Sequence, residues 1–321
     1  MLFRTFVFFR NYFYDKGIIS VNKLPCSIIS IGNITTGGTG KTPFVVYLSK
    51  ILKNQFNYKV AILSRGYKRR TSGTVLVSNE KSWSAFGDEP YMMSKQLKDI
   101  PIVVDENRYR GGCYLVKKYN PDVIILDDGF QHRSLHRDFD IVLINGNDSK
   151  INYKLLPQGR LREPWKSLAR ANAIFITKDT PKQFLLKKLK NSKIKYYNTE
   201  THSTVVQGNG LKDISNIKLK EKNAFLLSGI ADPKNFEKTI NNLNLNIVGF
   251  KFLPDHFHFN HKIINKTIDD AKRSNADYII TTEKDWVKID PLKIKFPFLV
   301  AKIKLEIIEK NIIETIVKYI K

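Results

Sequence analysis

The residues whose types and spacing could act on phosphate lie between Ile28 and Pro43, which read IISIGNITTGGTGKTP. An apolar run gives way to glycines and then to Lys41 and Thr42 at the predicted start of a helix. A glycine loop between a strand and a helix can turn its backbone N–H groups toward an anion, while the lysine and a threonine-bound Mg²⁺ act on the outer phosphates of ATP. The sequence therefore predicts a P-loop with these ATP-binding residues: Thr36, Gly37, Gly38, Thr39, Gly40, Lys41 and Thr42.

The loop departs from the usual P-loop pattern G-x-x-x-x-G-K-[ST] at one position. Thr35 stands where that pattern has its first glycine. An ordinary glycine turn between strand and helix is the alternative, but Lys41 and Thr42 directly after the loop favour nucleotide binding.

A second apolar segment, Val123–Leu126, ends in the carboxylates Asp127 and Asp128. This is the form expected of a Walker B strand, whose acid holds Mg²⁺ directly or through water. Because many strands end in aspartate, this segment alone would be weak support for a Mg²⁺ site, but together with the preceding P-loop it is strong support. Thr42, Asp127 and Asp128 are the predicted Mg²⁺ ligands, and the choice of the directly bound aspartate stays open.

Asp88 is a separate acidic candidate, in the segment Gly-Asp-Glu-Pro. Its structural role would be to cap a helix that begins at Glu89-Pro90, where proline fits the first turn. Three of the six histidines lie between Leu253 and His261, and His256 and His258 would share a face if extended. No cysteine or acid spacing completes a metal-ligand pattern there, so a metal site is disfavoured.

Short apolar runs that alternate with helical segments predict an α/β protein with a parallel sheet covered on both faces. The first series runs to about Thr177. A lysine-rich helix, Lys182 to Lys195, follows it, and a solvated face is favoured there over binding of lipid or nucleic acid. A second α/β series starts near Ala224, after a predicted hinge around residues 208–210. We expect a P-loop nucleotide-binding domain at 1–205 and a smaller α/β domain at 206–321 that closes over the ATP cleft.

The composition indicates a globular protein with excess positive charge. The 321 residues are 42% hydrophobic, and 54 Lys and Arg against 30 Asp and Glu give a net charge of +24. Such a charge attracts nucleic acid, anionic lipid or phosphorylated substrates without choosing among them. The two cysteines, Cys26 and Cys113, lack CxxC spacing, which argues for a reducing compartment. Because no apolar run is long enough to span a bilayer, we expect a soluble or peripheral protein.

The first segment, LFRTFVFFRNYFYDKG, predicts an amphipathic helix. One face would carry Leu2, Phe6, Phe9 and Phe13, and the opposite face Arg4, Asn11 and Asp15. Aromatic residues beside basic ones suit a helix that lies in a membrane interface. The alternative, a helix that packs on the protein's own core, stays open.

Seven motifs occur in order between Ile31 and about Lys288: GNITTGGTGKTP, SRGY, GDEP, DDGFQH, LREP, PDHF and TTEKD. In this combination the sequence resembles the tetraacyldisaccharide 4'-kinase family, the lipid A 4'-kinases of Gram-negative bacteria. The resemblance implies a P-loop kinase with two α/β domains joined by a short two-stranded linker, with ATP bound between them. It also implies transfer of the γ-phosphate of ATP to the 4'-hydroxyl of a tetraacyldisaccharide 1-phosphate, at the cytoplasmic face of the inner membrane, with an N-terminal helix in membrane contact.

The resemblance also implies roles for individual residues. Asp88 matches the family's catalytic acid and His256 its partner, and the residues assigned above to ATP and Mg²⁺ match the family's own. Relatives often have two adjacent histidines where this sequence reads His256-Phe257-His258, which leaves the role of His258 open. The motifs and nearby arginines supply these substrate-binding candidates: Tyr67, Glu89, Arg108, Arg110, His132, Arg160, Arg162 and Glu163.

The chemistry of phosphoryl transfer leads to a similar assignment. Transfer to a hydroxyl needs a phosphate cradle, Mg²⁺ and an aligned base. The P-loop and Walker B residues account for the first two, which leaves Asp88 for the third. His256, predicted in the other domain, could hold Asp88 only when the cleft closes, so substrate binding would be coupled to catalysis. The candidate arginines suit an anionic sugar lipid, because guanidinium groups bind phosphate bidentately.

Two other classes of protein compete with this interpretation. A membrane-associated partitioning ATPase also combines a GGxGKT loop with an amphipathic helix, but Thr36 replaces its signature lysine. A nucleic-acid-binding ATPase would explain the charge, but no groove-reading or base-stacking motif is recognisable. We therefore expect an acylated disaccharide lipid and an anionic membrane surface as partners, with no nucleic acid and no obligate protein partner.

Overall fold

The computed structural model of the chain describes residues 2–178, 180–192, 195–208, 219, 221–243, 245–292 and 294–320. By their contacts these residues form two compact units. Unit 1 comprises Met1–Glu80, Met93–Thr201 and Leu305–Lys321, and unit 2 comprises Lys81–Met92 and His202–Lys304.

The described α-helices are α1 (Leu2–Asp15), α2 (Lys41–Asn54), α3 (Asp88–Gln96), α4 (Arg108–Tyr119), α5 (Gln183–Ser192), α6 (Pro233–Asn241), α7 (His261–Arg273), α8 (Glu283–Ile289) and α9 (Asn311–Val317). The described strands are β1 (Ser27–Asn33), β2 (Val60–Ser64), β3 (Val75–Leu76), β4 (Ile102–Val104), β5 (Val123–Asp127), β6 (Phe139–Asn145), β7 (Ala173–Thr177), β8 (Tyr196–Gln207), β9 (Asn223–Ser228), β10 (Asn246–Phe252), β11 (Tyr278–Thr282) and β12 (Phe298–Ile307). Helix α3 and strands β8 and β12 contain residues of both units.

The sheet of unit 1 has the strand order β8-β7-β6-β1-β5-β2-β4-β3. Its neighbouring strands are parallel, except that β3 is antiparallel to β4. The chain moves from β1 to β2 on one side and later returns to place β6 on the other, so a topological switch point lies beside β1. In such sheets ligands bind at the carboxyl ends of the strands next to this point.

The strands of unit 1 form because their apolar residues are buried on both faces of the sheet. All residues of β1, β2, β5 and β7 are buried. Alternate β1 residues point to opposite faces: Ile29 packs in one hydrophobic core with Phe44 of α2, and Ile28 in another with Leu115 of α4. The sheet thus fixes β1, and with it the loop that follows β1.

The sheet of unit 2 has the parallel order β10-β9-β11-β12. Leu226 packs with Ile240 of α6 on one face, while Leu227 packs with Ile264 of α7 on the other. Because the strands are parallel, the segments after β9, β10 and β11 start from the same edge of this sheet. Gly229, His256 and helix α8 lie in these segments.

The division into units differs from the predicted domains in two segments. Lys81–Met92, which contains Asp88, belongs to unit 2, and Leu305–Lys321 belongs to unit 1. The second difference has a clear cause, because Leu305 and Ile316 are buried in the core of unit 1. The predicted boundary at 205/206 lies in β8, close to the observed change after Thr201. Of the predicted hinge, Asn209 and Gly210 lie outside the described residues.

Among the described helices, none is both long enough and apolar enough to cross a membrane.

Candidate active site

The glycine loop of unit 1 lies between the central strand β1 and helix α2. Gly37 has a φ of 105° and Gly40 a φ of 81°, a region that residues with a Cβ rarely adopt. Gly40 directly precedes α2, which begins at Lys41. The loop therefore ends at a helix N-terminus, where free N–H groups and the helix dipole favour an anion.

Buried hydrogen bonds fix the shape of this loop from both sides. Asn33 Nδ2 donates to Thr39 Oγ1 at 2.9 Å, and Thr177 Oγ1 of β7 donates to the Thr39 carbonyl at 2.8 Å. The Thr36 N–H donates to the Arg160 carbonyl at 2.7 Å. The loop is thus tied to the two neighbouring segments independently of any ligand.

The space beside the loop suits a polyphosphate. A Cβ built on Gly38 would meet no atom nearer than Lys178 Nζ at 3.9 Å, and one on Gly37 would come to 3.7 Å from an Arg160 guanidinium nitrogen. Each glycine therefore lies in van der Waals reach of a cationic side chain and is not crowded by other atoms. A glycine loop, a helix N-terminus and these positive charges together fit the phosphates of ATP.

Asp128, which directly follows β5, lies between two cations of the loop region. Lys41 Nζ is 3.5 Å from its Oδ1, and an Arg162 guanidinium nitrogen is 2.9 Å from its Oδ2. Burial alone would raise the pKa of Asp128, but the charges of Lys41 and Arg162 outweigh burial and lower the pKa to about 2. The structure thus brings Lys41, Asp128 and Arg162 together with Asp128 ionised.

Asp127 has a different environment. Its Oδ2 accepts a hydrogen bond from Ser64 Oγ of β2 at 2.8 Å, and both side chains are buried. Among the described residues, no group of three or more His, Cys, Asp or Glu side chains is arranged to hold a metal ion. Mg²⁺ at a kinase site needs only one or two protein oxygens beside phosphate oxygens and water. The oxygen donors Thr42, Asp127 and Asp128 fit that requirement.

The predicted substrate arginines have contrasting surroundings. Arg108 is buried and donates to the carbonyls of Asp105 and Glu106, and burial lowers its pKa to about 10. Arg110 is half exposed and binds both oxygens of the buried Asp105 carboxylate, at 2.9 and 2.8 Å. Its guanidinium also reaches Glu106 at 2.9 Å. Arg110 therefore has a structural role in holding the segment between β4 and α4.

Two further substrate candidates belong to segments that follow strands of the same sheet. His132 lies after β5, and burial together with the charges of Arg108, Arg137 and Arg65 lowers its pKa to about 4. Its ring is therefore neutral at physiological pH. Tyr67, after β2, exposes more than half of its surface, with Lys68 Nζ 5.7 Å from its ring centre.

Glu163 fastens helix α1 to unit 1. Its carboxylate is completely buried and lies 3.3 Å from an Arg10 nitrogen and 3.0 Å from an Arg170 nitrogen. Asn11 Nδ2 donates to it at 2.8 Å. The aromatic face of α1 stays exposed, with Phe6 at 65% and Phe9 at 50% of their surface. The helix thus contacts the protein through polar residues and the buried Val7, and leaves its aromatic side chains largely uncovered.

Unit 2 contains the Asp88–His256 pair. Asp88, the first residue of α3, is only 4% exposed, and its Oδ2 lies 2.8 Å from His256 Nδ1. Its Oδ1 accepts the N–H of Glu89 at 3.0 Å. Asp88 thus bonds a helix-start N–H and the histidine at once.

Two lysines of α8 complete the surroundings of Asp88. Lys284 Nζ lies 4.0 Å and Lys288 Nζ 3.9 Å from Asp88 Oδ2. Burial would raise the pKa of Asp88, but the hydrogen bond with His256 and the charges of Lys284, His256 and Lys288 outweigh it and lower the pKa. Lys284 also lies 3.6 Å from Glu89, which keeps that substrate candidate in the same cluster. A buried carboxylate that stays ionised can accept a proton from a bound hydroxyl.

Comparison with known proteins decides the family. The family model described as tetraacyldisaccharide-1-P 4'-kinase matches residues 1–321. The chain belongs to this family.

Individual relatives agree with this assignment. The tetraacyldisaccharide 4'-kinase of Aquifex aeolicus is 38% identical over 315 residues, covering 96% of this chain and 93% of the relative. That of Bdellovibrio bacteriovorus is 35% identical over 291 residues, covering 88% and 85%. A crystal structure of the Aquifex aeolicus kinase in complex with ATP superposes with a TM-score of 0.80 at 32% identity, covering 100% of this chain and 96% of that one. The predicted family, the kinase class and the α/β P-loop fold are thereby confirmed.

Sequence reasoning about this tetraacyldisaccharide-1-P 4'-kinase family member missed several residues around its predicted site. Asn33, Ser64 and Thr177 hold the P-loop and Asp127 through buried hydrogen bonds. In unit 2 the missed residues are Asp255, Lys284, Asp285 and Lys288. Three of these lie in or beside the motif TTEKD, whose order with the other motifs was the available signal.

The structure also bears on the predicted histidines. His256 contacts Asp88, whereas the His258 ring lies 4.9 Å from the Trp83 ring, centre to centre. His261 begins helix α7. His256 and His258 therefore have different neighbours, Asp88 for the first and Trp83 for the second.

Proposed function

We propose that this chain transfers the γ-phosphoryl group of ATP to the 4'-hydroxyl of a tetraacyldisaccharide 1-phosphate, with Asp88 as the general base. The observation that carries the proposal is the buried Asp88–His256 pair, which lies outside the nucleotide-binding loop. Hydrolysis needs only a positioned water, but transfer to a sugar needs a base that takes the proton of the incoming hydroxyl group. The names of the relatives support the same donor and acceptor.

Nucleotide binding is assigned to unit 1. The N–H groups of the glycine loop would receive the phosphates, and Lys41 would place its positive charge on the β- and γ-phosphate oxygens. Mg²⁺, when bound by Thr42 and Asp127 or Asp128, would neutralise the charge that develops on these oxygens. Asp128 now offsets Lys41 and Arg162, so nucleotide binding would redistribute these three charges.

Proton transfer is assigned to unit 2. In the proposed step the 4'-oxygen attacks the γ-phosphorus, its proton moves to an Asp88 carboxylate oxygen, and the bond to the β-phosphate oxygen of ADP breaks. His256 donates a hydrogen bond that orients the carboxylate, and Lys284 and Lys288 keep it ionised. Such orientation contributes to rate because the base needs no rearrangement in the transition state.

A labelling experiment tests the transfer. The purified protein, labelled ATP and the tetraacyldisaccharide 1-phosphate should give labelled lipid, and Lys41→Ala should reduce the yield by at least about 10²-fold. Lys50→Ala is a matched control, because Lys50 is an exposed lysine of the same helix. Hydrolysis of ATP without labelled lipid, or full transfer by Lys41→Ala, would overturn the proposal.

We further propose that the protein acts as a peripheral protein at the cytoplasmic face of the inner membrane, where it meets its lipid substrate. The uncovered aromatic residues of α1 and the net charge of +24 support this. The polar contacts through Glu163 leave that aromatic face free to enter a membrane interface.

Vesicle binding tests the membrane proposal. The triple variant Phe6→Ser, Phe9→Ser and Phe13→Ser should bind vesicles of anionic phospholipid at least tenfold more weakly, with unchanged ATP binding. Phe250→Ser is the control, because Phe250 is equally exposed but lies in unit 2. Equal vesicle binding by the triple variant and the wild type would refute the role of α1.

A further inference from the structure

Helix α8 contains a completely buried lysine, Lys288, which is unusual for this residue type. The Lys288 side chain is completely buried, with Nζ 2.7 Å from Asp285 Oδ1 and 3.9 Å from Asp88 Oδ2. Among the described residues this nitrogen has no hydrogen-bond partner in good geometry. Burying an ammonium is costly unless carboxylates compensate it. Lys288 therefore acts on Asp285 and Asp88 through its charge.

Asp285, the ion-pair partner of Lys288, is connected to His256 through the main chain of Gly229. Its Oδ2 accepts the N–H of Gly229 at 2.8 Å, and the Gly229 carbonyl accepts the N–H of His256 at 3.0 Å. His256 has a φ of 64°, which a residue with a side chain adopts only when its surroundings hold it there. Asp285 thus supports the main chain that places the His256 ring against Asp88.

We propose that Lys288 and Asp285 are positioning residues of this kinase. Lys288 supplies the buried positive charge that faces the Asp88 carboxylate, and Asp285 holds the loop that presents His256 to it. The inference rests on the proposed function of Asp88, since neither residue is assigned a contact with nucleotide or lipid.

The groups near Asp88 come from three elements: Glu89 from α3, Asp255 and His256 from the loop after β10, and Lys284 and Lys288 from α8. Lys284 is partly exposed and divides its charge among three carboxylates. Lys288 lies within 4.0 Å of only two carboxylates among the described residues. It is therefore the buried counter-charge that solvent screens least.

Replacing Lys288 by methionine tests the inference, because methionine keeps much of the shape and removes the charge. Without that charge the pKa of Asp88 should rise, so the acidic limb of the kcat–pH profile should move to higher pH by about one unit or more. The KM values for ATP and lipid should stay within about twofold. Lys302→Met is the control, because Lys302 of β12 pairs with Glu283 of α8 and not with Asp88.

A direct titration separates this inference from the proposed reaction. Carbon NMR of aspartate-labelled protein, with Asp88 assigned by its loss in Asp88→Asn, should show the carboxyl titrating at higher pH in Lys288→Met. If the wild type labels no lipid, the proposed function fails, whereas this titration still reports on Lys288.

If Lys288→Met does not fold, a double variant can be tested in its place. Lys288→Met with Asp285→Asn removes both charges, and the asparagine oxygen can still accept the Gly229 N–H. A smaller rise in the Asp88 titration is expected than in Lys288→Met, because loss of the Lys288 ammonium raises the pKa of Asp88 while loss of the Asp285 carboxylate lowers it. An unchanged Asp88 titration and an unchanged pH profile in the folded variant would overturn the inference.

Discussion

Replacing Asp88 by asparagine removes the proposed base with little change in size. The asparagine oxygen can still accept the Glu89 N–H, which Asp88 Oδ1 accepts at 3.0 Å. The other carboxylate oxygen, 2.8 Å from His256 Nδ1, is replaced by an amide nitrogen, and two lysines lose a counter-charge. The substitution therefore separates the charge and basicity of Asp88 from its role at the start of α3.

The expected effects on rate and stability can be measured separately. Loss of a general base lowers kcat by about 10² to 10⁴, which corresponds to about 2.7 to 5.5 kcal/mol of transition-state stabilisation. Removing one partner of a buried charged pair, here the carboxylate that faces His256 and Lys288, costs about 3 to 5 kcal/mol of folding free energy. Since the free energy of unfolding of globular domains is about 5 to 15 kcal/mol, the variant should stay folded.

Transfer of labelled phosphate to the lipid, ATP affinity and urea unfolding together form the assay. Asp232→Asn is the matched control, because Asp232 caps helix α6 of the same unit by accepting the Asn235 N–H. It should change stability by about 1 kcal/mol or less and leave kcat within about twofold. The reasoning is refuted if folded Asp88→Asn keeps full kcat, because the residue would then only support α3.

Two further predictions concern unit 1. The pKa of Asp128 is about 2 in the folded chain and about 3.9 when unfolded, so its contribution to stability is present above about pH 4 and is lost as the pH falls toward 2. The difference in unfolding free energy between the wild type and Asp128→Asn should therefore shrink between about pH 4 and 2, and a constant difference would contradict the pairing with Lys41 and Arg162. Glu163→Gln leaves Arg10 and Arg170 without their buried carboxylate and should cost about 3 to 5 kcal/mol in urea unfolding, with faster proteolysis of α1. Asp99→Asn, which breaks an exposed pair with Lys53, should cost less than about 1 kcal/mol, and equal losses in the two variants would refute the anchoring role of Glu163.

The parts of the fold that the sequence predicted well are those with local signals. Strand β7 ends at Thr177, where the first α/β series is predicted to end, because its five buried apolar and β-branched residues are bordered by polar ones. Strand β8 was missed, because its sequence YYNTETHSTVVQ mixes exposed and buried positions without regular alternation. Helices α8 and α9 have only seven residues each, which is too short for a helical period to show.

The residues of the candidate site likewise divide into those with a local sequence signal and those that only the tertiary fold brings together. A P-loop is a local device, so the types and order of its residues predicted the loop and the helix start that the structure contains. The bond between Asp88 and His256 joins residues 168 positions apart, and no sequence pattern measures such a distance. The prediction assigned the two residues to different domains, whereas their contacts place both in unit 2.

The burial of Lys288 could not be predicted from its neighbours in sequence. The segment Glu-Lys-Asp-Trp-Val-Lys-Ile of α8 has charges on several sides, and lysine is almost never buried unless it is paired. Tertiary structure makes the burial possible: Asp285 lies one helical turn away, and α3 contributes Asp88 from 200 positions earlier in the chain. Each of these buried charges offsets the cost of burying the other, and the charge of Lys288 helps to keep Asp88 ionised. The contact with Asp88 cannot be predicted from the sequence around Lys288. It is also the contact through which Lys288 is proposed to keep the Asp88 carboxylate ionised.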